Sequence, residues 1–177
     1  MSQSLPKISD DTEEVIAEVE AYMETLVTED DEPVDNIFSD YQRRLLVEPL
    51  RSSWHSQDEN GAPRKFLAAT DVAIYWAVGR QPLAPDMFLS LDVELGIENP
   101  SEWWRKKNRS YFVWMHGKAP EVVFEVVSDS SGKGTGGKLR DYALMGVVYY
   151  VIFDPGFHLG EEILRILGLL RSLESTG

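Results

Sequence analysis

The sequence contains no cysteine. That excludes disulfides, thiolate-held zinc and a cysteine nucleophile. Histidine is scarce, and His55, His116 and His158 stand too far apart to suggest zinc-ligand spacing. No serine lies in a Gly-x-Ser-x-Gly elbow, so a hydrolase of that type is not expected. Long apolar runs are missing too. The longest, Ala143–Phe153, is far short of the ~20 residues that cross a bilayer. The opening MSQSLPKISDDTEE lacks the basic head and apolar core of a signal peptide. A cytoplasmic protein without membrane attachment is the expectation.

Positive charge is in short supply, with 17 Lys and Arg against 30 Asp and Glu, for a net charge of −13. The deficit is unevenly placed. Residues 1–40 carry 13 acids and Lys7 alone, for −12, whereas residues 41–177 carry 17 acids and 16 bases, for −1. Between 103 and 140 the balance reverses, with eight bases against Glu121, Glu125 and Asp129. An anionic ligand is therefore electrostatically admissible in that region. The expected organisation is an acidic helical arm over 1–33 and one α/β domain over 34–177, long enough for a real core.

The chain is organised around residues 120–155. Val122, Val123, Phe124, Val126 and Val127 make a nearly continuous apolar run, the pattern of a strand buried on both faces. Glu125 interrupts it, and a carboxylate there is costly unless paired or bound to a metal. A Ser- and Gly-rich loop follows, then a short helix from about Lys138 to Met145, stopped by Gly146. Val147–Phe153 reads as a second strand, ending at Asp154-Pro155. Strand, crossover helix and strand imply a parallel pair.

Upstream, Asp10 with Glu13 fits a capping box, and Val15, Val19, Tyr22 and Leu26 recur at helical spacing, predicting a helix over 10–27. Its acidic face reads most simply as solvated; a homodimer contact and a cover over the basic region are the alternatives. A second helix starts near Asp35 or Asn36, with Ile37, Tyr41, Leu45 and Leu46 expected inside and Pro49 kinking or ending it. Phe66–Val78 is a strand or a hairpin turning near Thr70-Asp71, and Met87–Leu91 a strand opened by Pro85-Asp86. Trp103-Trp104 precede the basic cluster Arg105, Lys106, Lys107 and Arg109. Such interleaving suits phosphate contacts and base stacking, although a surface segment with inward-packed rings is the simpler reading. Tyr111–Met115 reads as a strand. Beyond Asp154-Pro155, Ile163, Leu167 and Leu170 suit a helix, with a strand after Glu162 as the alternative.

Two constellations could carry chemistry. If the strands bearing Asp86 and Glu125 are neighbours, two carboxylates converge, and paired hard oxygens suit Mg²⁺ or Mn²⁺. Lys138, at the start of the following helix, could then orient a water or neutralise developing charge. The bland alternative is two unrelated acids, one capping a turn and one satisfied by a base. The second constellation, Gly132 to Leu139, matches G-x-x-x-x-G-K between a strand and a helix, which would make a nucleotide-binding loop of 132–138. Leu139 replaces the hydroxyl residue that holds the metal, so a plain Gly-rich loop is the better reading.

One pattern runs through these elements: Pro85-Asp86, Val123-Phe124-Glu125-Val126-Val127-Ser128, Lys138-Leu139-x-x-Tyr142-Ala143-x-x-Gly146-Val147-x-x-Tyr150 and Asp154-Pro155. It resembles the Uma-type restriction endonuclease family of bacteria, within the PD-(D/E)XK nuclease superfamily, over roughly residues 34–156. The resemblance implies a restriction-endonuclease-like core, a central mixed β-sheet flanked by helices. It also implies a metal site of Asp86 and Glu125. The superfamily lysine two positions after the acid is replaced here by Val127. In this resemblance its role passes to Lys138, with Lys133 as a weaker substitute. The first helix often supplies another acid, for which Glu48, then Asp40, are the candidates. The family pattern continues past Asp154-Pro155 with further strands, whereas a Leu-rich stretch follows here.

The expected function is metal-dependent endonuclease hydrolysis of DNA phosphodiesters. Asp86, Glu125 and Lys138 would be catalytic, and Arg105, Lys106, Lys107, Arg109 and Arg140 would contact the DNA backbone. The rival from another class is a non-catalytic binding or assembly protein that keeps the fold.

Overall fold

The computed structural model describes residues 12–25, 37–95, 99–127 and 135–169. Two helices come first, α1 (Thr12–Thr25) and α2 (Ile37–Ser53). The strands β1 (Phe66–Thr70), β2 (Ile74–Tyr75), β3 (Met87–Leu91) and β4 (Tyr111–Phe112) follow, with two 3-10 turns, Pro100–Glu102 and Lys106–Asn108, before β4. After a single helical turn, α3 (Val113–His116), come β5 (Val122–Val126), α4 (Thr135–Met145), β6 (Tyr149–Phe153) and β7 (Leu164–Gly168). The main sheet has the order β1-β3-β5-β6-β7 and is mixed: β5 and β6 are parallel, and every other pair is antiparallel. This is an α/β restriction-endonuclease-like architecture.

The crossover unit forms for the reasons its sequence states. Val123 and Glu125 point to one face of β5 and Phe124 to the other, and apolar residues cover both faces. On the first face, Phe88, Val123, Tyr142, Met145, Val147, Tyr150 and Ile152 pack together, with α4 supplying Tyr142 and Met145. On the second, α2 lays Val47, Leu46 and Leu50 over Ala68, Met87 and Phe124. Burying each large side chain contributes roughly 1.5–3 kcal/mol. Gly146, at φ 100°, ends α4 in the left-handed region, and the N–H groups of Gly146 and Val147 both donate to the Tyr142 carbonyl.

Several expectations change. The helix after Asp35 runs through Pro49 to Ser53, and it is turned differently from the prediction. Ile37, Tyr41 and Leu45 are exposed, while Gln42 and Val47 are buried. The sequence holds two helical stripes, and the small Ala68 on β1 receives Val47 rather than the aromatic one. The segment 66–78 is no hairpin: β1 pairs with β3, while β2 leaves for a two-stranded parallel sheet with β4. Tyr111–Met115 stops being a strand after Phe112, because β2 offers only Ile74 and Tyr75 as partners; the chain closes its backbone bonds in the turn of α3 instead. After Glu162 the strand alternative holds, as β7 on the edge. Of the helix expected over 10–27, α1 forms over its middle, with Met23 buried against Tyr75 and Phe112. No described helix is long and apolar enough to cross a membrane.

Candidate metal and catalytic site

The site lies at one end of β1, β3 and β5. Thr70, Met87 and Phe124 form a paired row across these strands. One residue beyond each lies an acid: Asp71, Asp86 and Glu125. There the β3–β5 ladder stops, and the Asp86 side chain replaces it, its Oδ2 accepting the Val126 N–H at 2.7 Å. Asp86 and Glu125, predicted to meet if their strands were neighbours, thus sit against the same stretch of backbone.

Both oxygens of Glu125 are engaged. Lys138 Nζ donates to Oε2 at 2.9 Å and the Tyr142 hydroxyl donates to Oε1 at 3.0 Å. Lys138 and Tyr142 are four residues apart, hence on one face of α4. That spacing lets a single helix grip the carboxylate twice. A lysine in a helix's first turn opposes the helix dipole, and the partner that offsets this here is Glu125. The lysine shift inferred from Val127 therefore has a structural counterpart: Val127 packs into the core and donates its N–H to Phe153, while the ammonium arrives from α4.

Burial raises the Glu125 pKa above the ordinary carboxylate range, and the Asp86 charge adds to the rise; Lys138 and Tyr142 pull the other way. The Glu125 side chain is 11% exposed and Lys138 36%, so the acid is enclosed and its cation reaches solvent. Burial also raises the Tyr142 pKa, as do Glu125 and Asp86. Tyr150 lies on the same face of the sheet as Glu125, and its buried hydroxyl has no hydrogen-bond partner among the described residues. Its pKa is raised by burial first and then by the charges of Glu125 and Asp86, so it stands within their field.

The second helix contributes a base and no acid. Arg43 Nε lies 3.1 Å from Asp71 Oδ1 and 3.6 Å from Asp86 Oδ1. The candidates Glu48 and Asp40 are engaged with Arg51 and Arg44 on α2 itself. Each of these pairs joins residues three or four apart on one helix, the spacing that sets side chains next to one another. Sequence reading missed three residues of the site. Tyr142 was accessible through its i, i+4 relation to Lys138, and Asp71 through its place just after a strand. Nothing local marks Arg43. Lys133 and the rest of 128–134 lie outside the described residues, so the nucleotide-loop reading is met only at Lys138, which is held by Glu125.

The basic segment is differently placed. Lys107 pairs with Glu20 of α1 at 3.5 Å, Lys106 donates to the Glu24 carbonyl, and Arg105 lies 3.7 Å from Glu102. The acidic helix thus lies over part of the basic segment. Trp103 and Trp104 are 59% and 79% exposed, against the expectation of inward-packed rings. Arg140 is exposed on α4.

Among the described residues, no group of three or more His, Asp or Glu side chains converges as a metal cage. The donor set is two carboxylates. That suits a hard ion such as Mg²⁺, which keeps waters and phosphate oxygens in its remaining positions, and does not suit structural zinc. No curated protein matches the chain. A family model described as "Putative restriction endonuclease" matches residues 31–157, well over half of the sequence and all of the site's elements from α2 to β6. The chain belongs to that family, Uma2.

Proposed function

We propose that the protein is a divalent-metal-dependent endonuclease that hydrolyses DNA phosphodiester bonds. The observation that carries this reading is that Asp86 accepts the N–H of Val126, the residue after Glu125, while Lys138 bears on Glu125 itself. Asp86 and Glu125 would hold Mg²⁺ or Mn²⁺. Bound there, the ion would supply Lewis acidity toward a phosphate oxygen and lower the pKa of a coordinated water.

The chain's own residues do the rest. Lys138 has three donors and gives one to Glu125, leaving two to orient a water or to meet charge growing on the phosphoryl oxygens. Tyr142 fixes the direction of the Glu125 carboxylate. Arg140, exposed on the same helix as Lys138, and Arg109 are candidates for the DNA backbone. Lys106 and Lys107 can serve only if they exchange their α1 partners for phosphates. The family match supports DNA as the substrate, and the contacts of Asp86, Glu125 and Lys138 support this choice of roles.

The test is plasmid cleavage in Mg²⁺ or Mn²⁺ together with calorimetric titration of the ion. Asp86→Asn and Glu125→Gln should abolish cleavage and ion uptake in folded protein. Unchanged cleavage in both variants refutes the assignment. A wild-type protein that takes up no ion at millimolar concentration favours the non-catalytic binding role instead.

A further inference from the structure

Beyond the two proposed metal-holding acids, the row at the strand ends contains a third, Asp71, and a cation shared between two of its members. Along it Arg43 stands between Asp71 and Asp86, and Lys138 bears on Glu125. Each cation bears on one carboxylate that the metal reading uses. Lys138 meets one carboxylate, Glu125, but Arg43 is divided, at 3.1 Å from Asp71 and 3.6 Å from Asp86. The shorter contact is to the acid outside the proposed metal pair. Arg43 is largely buried, with 15% of its side chain exposed, so its charge is poorly screened and must be balanced locally.

The Asp71 backbone carries a cost that fits this use. It has φ 54°, in the left-handed region that few residues other than glycine adopt readily. That conformation turns the chain out of β1 immediately after Thr70, where the Asp71 carboxylate meets α2. A glycine would take the turn more easily and would leave Arg43 with Asp86.

We propose that Asp71 is a positioning residue: it draws the Arg43 guanidinium away from Asp86 and so leaves Asp86 able to accept a divalent cation. This rests on the metal reading of Asp86 and Glu125. A guanidinium seated on Asp86 would compete with the ion for the same oxygen, so the Asp71–Arg43 pair sets how tightly the site takes metal. Asp71 itself need not touch the ion.

The experiment is calorimetric titration of Mn²⁺ into the full-length protein, with no DNA present, for wild type, Asp71→Asn, Arg43→Gln and the double variant. Asparagine tolerates the left-handed conformation, and Asp71→Gly, which removes the strain altogether, is a second variant should the first fold poorly. Both Asp71 variants should bind Mn²⁺ about tenfold more weakly, Arg43→Gln more tightly than wild type, and the double variant like Arg43→Gln. Wild-type affinity in Asp71→Asn and Asp71→Gly overturns the inference. So does a double variant weakened relative to Arg43→Gln as much as Asp71→Asn is relative to wild type, because Asp71 would then act without Arg43. Wild-type uptake that is lost in Asp86→Asn but unmoved in the Asp71 variants overturns this inference alone, whereas no uptake by wild type removes the metal reading and this inference together.

Discussion

Two regions of this molecule hold opposite charges side by side, and they differ in what surrounds the charges. At the strand ends, Asp86 stands just before β3, Glu125 lies in β5, and Arg43 and Lys138 reach these acids from α2 and α4, with Glu125 enclosed by Tyr142 and the core. Along the basic segment, Lys107 lies 3.5 Å from Glu20 and Arg105 3.7 Å from Glu102, near exposed tryptophans. Exposed pairs of the second kind contribute about 0–1 kcal/mol and are screened by salt. In the first region burial and the Asp86 charge raise the Glu125 pKa while Lys138 lowers it, and that sensitivity is what chemistry can use. Similar residue types thus give a mutually sensitive cluster in one place and a replaceable surface contact in the other.

The comparison is broken most severely at the enclosed site. Alanine at Asp86 or Glu125 should cut Mg²⁺-dependent cleavage by at least about 10³-fold while circular dichroism stays native, since the ion and its Lewis acidity leave together. Lys138→Ala should cost about 10²-fold in kcat, with Mn²⁺ affinity retained or increased. That separates an ammonium acting on the reaction from a group that merely holds Glu125.

Smaller effects sharpen the contrast. Tyr142→Phe removes a donor that lowers the Glu125 pKa, so the acid limb of ion uptake should move to higher pH, with a stability loss of about 1 kcal/mol by denaturant unfolding. Glu125 also binds its proton more tightly in the folded protein than in the unfolded chain, where the reference value is 4.5. Its contribution to stability is therefore present below that reference and lost as pH rises through the raised value. Glu125→Gln should accordingly melt a few degrees above wild type at neutral pH, with the gap closing toward pH 4. The smallest change is expected at the surface pair: Lys107→Ala should alter stability by less than about 0.5 kcal/mol. If Lys107 does reach phosphate, DNA affinity should fall about equally on all sequences and the salt slope flatten by about one.

How much of this was legible in the sequence depends on whether the information is local. The β5–α4–β6 unit declares itself, because apolar runs, a terminal glycine and a single out-of-place acid are all read within one stretch of chain. Its parallel pairing followed from the crossover alone. The α2 face was misread because two stripes of that helix are apolar and only the partner surface, small at Ala68, selects between them. Phe66–Val78 was misread because strand pairing is a long-range choice: β1 takes β3 and β2 takes β4, so the turn at Asp71 became a strand exit.

The sequence by itself determined the crossover unit, from local composition and spacing, and the family pattern, and it offered Asp86, Glu125 and Lys138 as candidates, partly from a buried acid and partly from the resemblance. Only the tertiary structure decided that Asp71 and Asp86 stand in one row with Glu125, that Arg43 reaches that row from α2, and that α1 lies over the basic segment. The physical reason is range. Hydrophobic period and turn chemistry act over a few neighbouring residues, whereas the field felt by a carboxylate is set by whichever charges the packed fold brings within a few ångströms of it.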